Sequence, residues 1–376
     1  MIAARPKVVC VVGTRPECIK MAPVIIALQA ANFCDVVVLN TGQHRDLTRQ
    51  ALNLFGLNSD FDLDVMSENQ SLAGLSARLL TNLDAFLAEQ HPDLLLVQGD
   101  TTSVYVAALA AFYRRIPVGH IEAGLRTHDL RKPFPEEFNR IVTSLISAIH
   151  FAPTESAKAN LLREGVPEVA IHVTGNTVID ALLAVAKRDY ACDFPTNADR
   201  RLVLVTAHRR ENFGSPIREI CRALGELHDR FPDVEFVYPV HPNPNIREPV
   251  TAHLSTLERI HLVPPANYSM LVGLMKRATV ILTDSGGIQE EAPALGKPVL
   301  VMRDETERPE AVAAGVAKLV GSDARKIVEE TSRLLTDAAA YRGMARGVSP
   351  YGDGRAAARI VELCRRLLAV QSPLGL

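Results

Sequence analysis

Lys7-Val8-Val9-Cys10-Val11-Val12-Gly13-Thr14-Arg15-Pro16-Glu17 decides the fold. Five apolar residues follow Lys7 without alternation, and the run stops at a glycine and a polar cluster. A strand that is apolar on both faces belongs to a parallel sheet covered by helices on both sides. The same unit recurs along the chain, each apolar run being followed by a polar or glycine-containing break and a helical pattern. In the first half the runs are Lys7–Val12, Val36–Asn40, Asp93–Gln98, Pro117–Ile121, Ala148–Ala152 and Ile171–Thr174. In the second half they are Arg201–Thr206, Glu235–Val240, Ile260–Val263, Thr279–Thr283, Pro298–Met302 and Ala317–Val320. Strand and helix alternate throughout, which predicts an α/β protein with right-handed crossovers.

At 376 residues the chain is too long for one ordinary core. Pro195 and a polar cluster break the pattern within Tyr190–Arg200, so the boundary is placed there. Two Rossmann-like, doubly wound domains facing a cleft are expected, over 1–190 and 200–354. A last helix, within about 355–376, is placed to pack back on the first domain. The 41 Lys+Arg against 43 Asp+Glu leave a net charge of -2, which argues against a nucleic-acid surface. The apolar stretch Val104–Tyr113 falls far short of the ~20 residues that span a bilayer, and no secretory leader is legible. A cytoplasmic protein without a membrane partner is expected. Cys10, Cys18, Cys34, Cys192, Cys221 and Cys364 form no C-x-x-C pair and read as reduced thiols.

In open α/β sheets ligands bind beyond the carboxyl ends of the strands. The unusual polar clusters of this sequence fall at those ends. They are Gly13–Glu17 with Lys20, Thr41–Asp46, Gln98–Thr102, His120–Thr127, Ala207–Asn212, Val240–Pro244 and Thr283–Gly287. Ser285-Gly286-Gly287 opens a helix whose free amide groups make a seat for a phosphate, although the same turn also serves as a plain N-cap. Glu290 and Glu291, one turn on, suit a ribose diol. Arg15 and Lys20 are cations for a leaving diphosphate, or solvated helix-start charges. Asp100 and Glu122 close two adjacent buried strands, where an unpaired acid is costly. Glu136 and Glu137 follow Pro135, which suits the first position of a helix, and acids there also complement the helix dipole. No G-x-G-x-x-G and no phosphate-loop motif is present, so NAD chemistry and nucleotide hydrolysis lose ground. His120-Ile121-Glu122 lacks the cysteine pair of a zinc deaminase, and no metal is read here.

Taken together these motifs resemble the non-hydrolysing bacterial UDP-N-acetylglucosamine 2-epimerases, in the family's order and over nearly the whole chain. Gly175-Asn176-Thr177, Thr306-Glu307-Arg308-Pro309-Glu310 and Pro350-Tyr351-Gly352-Asp353-Gly354 extend the match. The resemblance implies a GT-B-like pair of domains, a homodimer, and UDP-sugar and UDP as ligands. It implies inversion at C2 by anti elimination of UDP to 2-acetamidoglucal and re-addition, giving UDP-N-acetylmannosamine without a cofactor. Carried over, Asp100, Glu122 and Glu136 are the acid/base candidates and His208 assists the diphosphate. Arg15, Ser285, Gly286 and Gly287 hold the diphosphate, Glu291 the ribose, with Lys20 close to the reacting centre and Arg308 in the binding set.

In allosterically activated members a second UDP-N-acetylglucosamine is held beside the active site, and Gln43, Gln70, Arg209 and His241 match that pattern. Asp46 stands where a glutamine is expected and Asn69 where an arginine is expected. An added anion and a missing cation weaken a diphosphate site, so weak or absent substrate activation is expected. An inverting glycosyltransferase, a nucleotide-sugar sensor and an epimerase of C3- or C6-modified UDP-sugars are the competing readings.

Overall fold

The computed structural model describes residues 5–42, 45–66, 70–188 and 196–371. They fall into two compact units, Met1–Ala181 with Tyr351–Leu376, and Leu182–Pro350. The division lies inside the helix Thr177–Ala186, upstream of the polar segment in which the sequence places it. Residues 189–195, Cys192 among them, lie outside the described residues.

The first unit is built on β1 (Lys7–Val12), β2 (Asp35–Asn40), β3 (Phe61–Asp62), β4 (Leu94–Gln98), β5 (Val118–Ile121), β6 (Ile149–Ala152) and β7 (Ile171–Val173). Its sheet runs β3-β2-β1-β4-β5-β6-β7, parallel throughout the described residues. The second unit holds β8 (Arg201–Thr206), β9 (Val234–Pro239), β10 (Ile260–Val263), β11 (Val280–Thr283), β12 (Val299–Val301) and β13 (Ala317–Leu319). Its order is β10-β9-β8-β11-β12-β13, again parallel. Both sheets start from the Rossmann order and reverse direction beside their first strand, between β1 and β4 and between β8 and β11.

Every apolar run read from the sequence is a strand to within one residue at each end. The addition is β3, two exposed residues on a sheet edge, with no apolar run to announce them. β4, β5 and β6 are buried at each residue, as sandwiching between helices requires. The first core gathers Val9, Val11, Leu79, Leu83, Leu95 and Val97, and the second Val203, Val205, Leu224, Phe236 and Leu282. Each such side chain contributes about 1.5–3 kcal/mol on burial.

The helix Ala356–Gln371 belongs to the first unit and packs against the helix Arg15–Ala31. Its amino end is capped from a distance. The Asp180 carboxylate accepts from the Ala356 and Ala357 amides at 3.2 and 2.9 Å. Cys10, Cys18, Cys34, Cys221 and Cys364 are buried free thiols. Among the described residues no helix is long and apolar enough to cross a membrane.

Candidate active site

The site-forming residues of the first unit cluster beyond the ends of β1, β4, β5 and β7. Gly13 ends β1 where chain and neighbours nearly touch: a side chain there would begin 2.4 Å from Thr41 Oγ1 and 2.9 Å from Ser103 Oγ. Glu17, in the first turn of the following helix, reaches back and accepts from the Gly13 and Thr14 amides at 2.7 and 2.8 Å. The Thr101 hydroxyl donates to its other oxygen at 2.5 Å. Burial pushes the Glu17 carboxyl up to about 7, against the pull of these three donors, with Asp100 adding to the rise. This loop carries Arg15 into solvent and sets the start of the helix from which Lys20 projects.

Glu122 follows β5 with φ +66°, a left-handed conformation that side chains rarely adopt. Such backbone persists only where the surroundings over-determine it. Three donors do so: Lys20 Nζ and Gln98 Nε2, each at 2.5 Å, and Asn176 Nδ2 at 2.8 Å. Asn176 is in turn anchored by its own amide, which donates to the Tyr351 carbonyl at 2.6 Å. Gly175, at φ +87°, allows that approach, since a side chain would begin 3.2 Å from the Gly352 Cα. The Gly175-Asn176 and Tyr351-Gly352 motifs, 175 residues apart in sequence, therefore buttress one carboxylate.

Asp100 lies beyond the neighbouring strand β4. Arg140 Nη2 faces its carboxylate at 3.1 Å, and 30% of its side chain remains exposed. Loss of hydration pushes its carboxyl up to about 6, opposed by Arg140 and Lys20 and reinforced by Glu122 and Glu136. The two adjacent glutamates part company. Glu137 is fully buried and accepts from the Thr127 and His128 amides at 3.0 and 2.9 Å, so it holds the loop after Glu122. Glu136 is half-buried and within electrostatic reach of Asp100. The helix begins at Glu136, and Pro135 is its cap rather than its first residue. His120 bonds the Gly99 carbonyl at 2.8 Å, and burial pushes it down to about 3, which keeps it neutral. Among the described residues no trio of His, Cys, Asp or Glu is placed to hold a metal.

In the second unit the candidates gather beyond β8, β9 and β11. Asp284 is fully buried, and its Oδ2 accepts from the His208 amide at 2.7 Å, the Arg209 amide at 2.8 Å and Asn212 Nδ2 at 2.9 Å. His208 Nδ1 lies 3.6 Å from Asp284 Oδ1, and its ring stacks on His241 with centroids 5.8 Å apart and planes 18° from parallel. Burial holds His208 below its ordinary value, helped by Arg209 and His241, while Asp284 pulls it up. Ser285 caps the helix Gly286–Ala294 without a side-chain cap bond. The Arg209 guanidinium lies 3.8 Å from where a Gly286 side chain would begin. A cation, two glycines and free helix-start amides thus meet at one place suited to a phosphate.

The acids of that helix are engaged within the unit. Glu291 accepts from the Tyr268 hydroxyl at 2.6 Å, and Glu290 pairs with Arg308. Arg308, expected in the binding set, so has a buried carboxylate as its neighbour. Of the second-site set, Gln70 bonds Arg78 and Met66 Sδ in the first unit. Arg209 and His241 stand in the second unit, His241 against His208. Gln43 and Asn69 lie outside the described residues, and Asp46 is exposed on the helix Arg45–Leu54.

Sequence reasoning assigned no role to Glu17, Gln98, Asn176 or Asp284. Two of them carried a signal. Thr14-Arg15-Pro16-Glu17 has the spacing of a capping box. Asp284 is an acid at the end of a buried strand, as Asp100 and Glu122 are.

A family model described as UDP-N-acetylglucosamine 2-epimerase matches residues 26–365. The UDP-N-acetylglucosamine 2-epimerase of Escherichia coli is 51% identical over 366 residues, 95% of this chain and 97% of that one. The crystal structure of the UDP-GlcNAc 2-epimerase of Neisseria meningitidis bound to UDP-GlcNAc is 48% identical with a TM-score of 0.87, over 96% of this chain and 100% of that one. The enzyme of Methanocaldococcus jannaschii in complex with UDP-GlcNAc and UDP is 34% identical with a TM-score of 0.79, over 96% and 99%. A glycosyltransferase of kitacinnamycin, 16% identical with a TM-score of 0.67, covers 96% of this chain and 99% of its own and shares the fold alone.

Proposed function

This chain belongs to the UDP-N-acetylglucosamine 2-epimerase family, a family of isomerases, and on that premise we propose that it interconverts UDP-N-acetylglucosamine and UDP-N-acetylmannosamine. The observation that carries the reading is a pair of acids beyond adjacent strands. Glu122 is held by Lys20, Gln98 and Asn176, and Asp100 is pushed up to about 6. A carboxyl near neutrality can both take and return a proton at working pH.

The reaction needs such a pair. The C2 proton has no neighbouring carbonyl to acidify it, so its removal must be coupled to departure of the diphosphate. One carboxylate takes the proton, the C2–H electrons form the C1=C2 bond, and the C1–O pair leaves on the diphosphate oxygen. Protonation of 2-acetamidoglucal at the opposite face of C2, with attack of the same oxygen on C1, completes the inversion. Asp100, Glu122 and Glu136 are assigned to proton transfer, with Lys20 beside Glu122. Arg15, Ser285, Gly286, Gly287 and His208 are assigned to the diphosphate, where donors fixed in advance stabilise the developing charge. Glu291 is assigned to the ribose, and Arg308, paired with Glu290, to the binding set.

Turnover is expected without added NAD or metal, in a cytoplasmic homodimer, and with hyperbolic kinetics, because Asp46 and Asn69 disfavour a second diphosphate-sugar. Proton NMR of the protein with UDP-N-acetylglucosamine in D2O tests the reading. UDP-N-acetylmannosamine carrying deuterium at C2 is expected. Release of free N-acetylmannosamine with UDP, or no change in the sugar, overturns it.

A further inference from the structure

The two oxygens of Asp284 are used unequally. Oδ2 takes three N–H donors, two from the backbone of its neighbouring loop and one from Asn212. Oδ1 is buried and has no hydrogen-bond partner among the described residues. A buried acceptor left unsatisfied is costly, so a donor is expected to be within reach. Tyr238 donates to the Ala207 carbonyl at 2.8 Å, Thr206 and Thr283 share one hydrogen bond at 2.6 Å, and none of these hydroxyls bonds Oδ1. His208 Nδ1 remains, 3.6 Å away, a distance that a small ring movement closes.

We propose that Asp284 is the positioning residue for His208: its Oδ1 accepts the proton on Nδ1, fixes that tautomer and leaves Nε2 as the working nitrogen. The proposal rests on the reading that His208 serves the diphosphate. With the proton held at Nδ1, Nε2 is the atom that can take a proton from solvent and return it, and Asp284 stabilises the imidazolium so formed beside the leaving anion. Hydrogen bonds of this kind are often long in the unliganded protein and tighten on binding. The stacked His241 provides a contrast, because the Asn243 amide donates to its Nδ1 at 3.2 Å and so places its proton on Nε2. Two parallel imidazoles are thereby set in opposite tautomers by two different loop contacts.

Asp284→Asn separates position from charge. The three N–H donors demand an oxygen at the Oδ2 place, so the amide nitrogen takes the Oδ1 place and offers His208 Nδ1 a donor. The tautomer must then reverse while the loop stays held. The test is long-range proton–nitrogen NMR of the full chain labelled at the imidazole nitrogens, with His208 identified by the signal lost in His208→Asn. Wild-type protein is expected to show Nδ1–H at His208 and Nε2–H at His241. Nε2–H at His208 in the wild type overturns the proposal, and does so whether or not the variant folds. For Asp284→Asn the expected result is a reversed tautomer, retained UDP affinity by calorimetry and a kcat lower by about 10²–10⁴, the weight of a general acid–base group. A reversed tautomer with undiminished kcat overturns it. Full turnover in His208→Asn would instead sink the role of His208 in catalysis, and the wild-type tautomer would still decide the Asp284 contact.

Discussion

Asp100 and Asp284 hold corresponding places in two sheets of like order, one beyond β4 beside β1 and the other beyond β11 beside β8. Their duties differ because the loop after the first strand is held differently. In the first unit Glu17 reaches back from its own helix and takes the amides of Gly13 and Thr14. Asp100 is then left facing Arg140, with part of its side chain in solvent. In the second unit Glu211 stands at the matching spacing but pairs with Arg303 at 2.5 Å. The amides of His208 and Arg209 turn to Asp284 instead, and that acid becomes a buried part of the loop. Which carboxylate secures the first loop decides which one remains open for the proton transfer we propose.

The comparison breaks most visibly at Asp100. Asp100→Asn is expected to lower kcat by about 10²–10⁴ with the thermal midpoint nearly unchanged, the usual weight of an acid/base group. Unchanged kcat would remove Asp100 from the chemistry. Asp284→Ala strands three N–H donors, that of Asn212 buried and the His208 and Arg209 amides partly so, and is expected to cost about 3 kcal/mol in urea unfolding, a loss Asp100→Ala does not match.

Glu17 sharpens the contrast through pH. Its carboxyl is raised from 4.5 to about 7 in the folded protein, so between those values the folded state holds a proton that the unfolded chain has released. Stability therefore falls as pH rises through that window, by about 3 kcal/mol in all. Glu17→Gln keeps an oxygen for the two amides and lacks this loss. Its melting temperature relative to wild type is expected to climb from pH 5 to pH 8, and a constant difference would refute the linkage. The smallest effect is a displacement. The acid limb of kcat/KM is expected near pH 6, where Asp100 takes up its proton. Arg140→Gln removes the cation that restrains that uptake and should move the limb upward; a limb that stays in place would assign it to another group.

Legibility followed chemistry at short range. The capping spacing of Thr14 and Glu17 and the cluster at each strand end could be read directly, since both depend on neighbours in the chain. The support of Glu122 could not, because Lys20, Gln98 and Asn176 come from a helix, a strand and a loop far apart in the chain and Asn176 depends on Tyr351. Nor could the split between Glu136 and Glu137, adjacent in sequence and alike in type, one buried against a loop and the other half-open.

By itself the sequence determined the α/β class, the positions of all the longer strands and the polar clusters at their ends. Runs apolar on both faces have one stable home, and a parallel sheet delivers every strand end to the same edge. Tertiary structure alone decided which acids are satisfied and which are poised, because a carboxyl's protonation depends on the donors, charges and water around it, and these arrive from residues far along the chain.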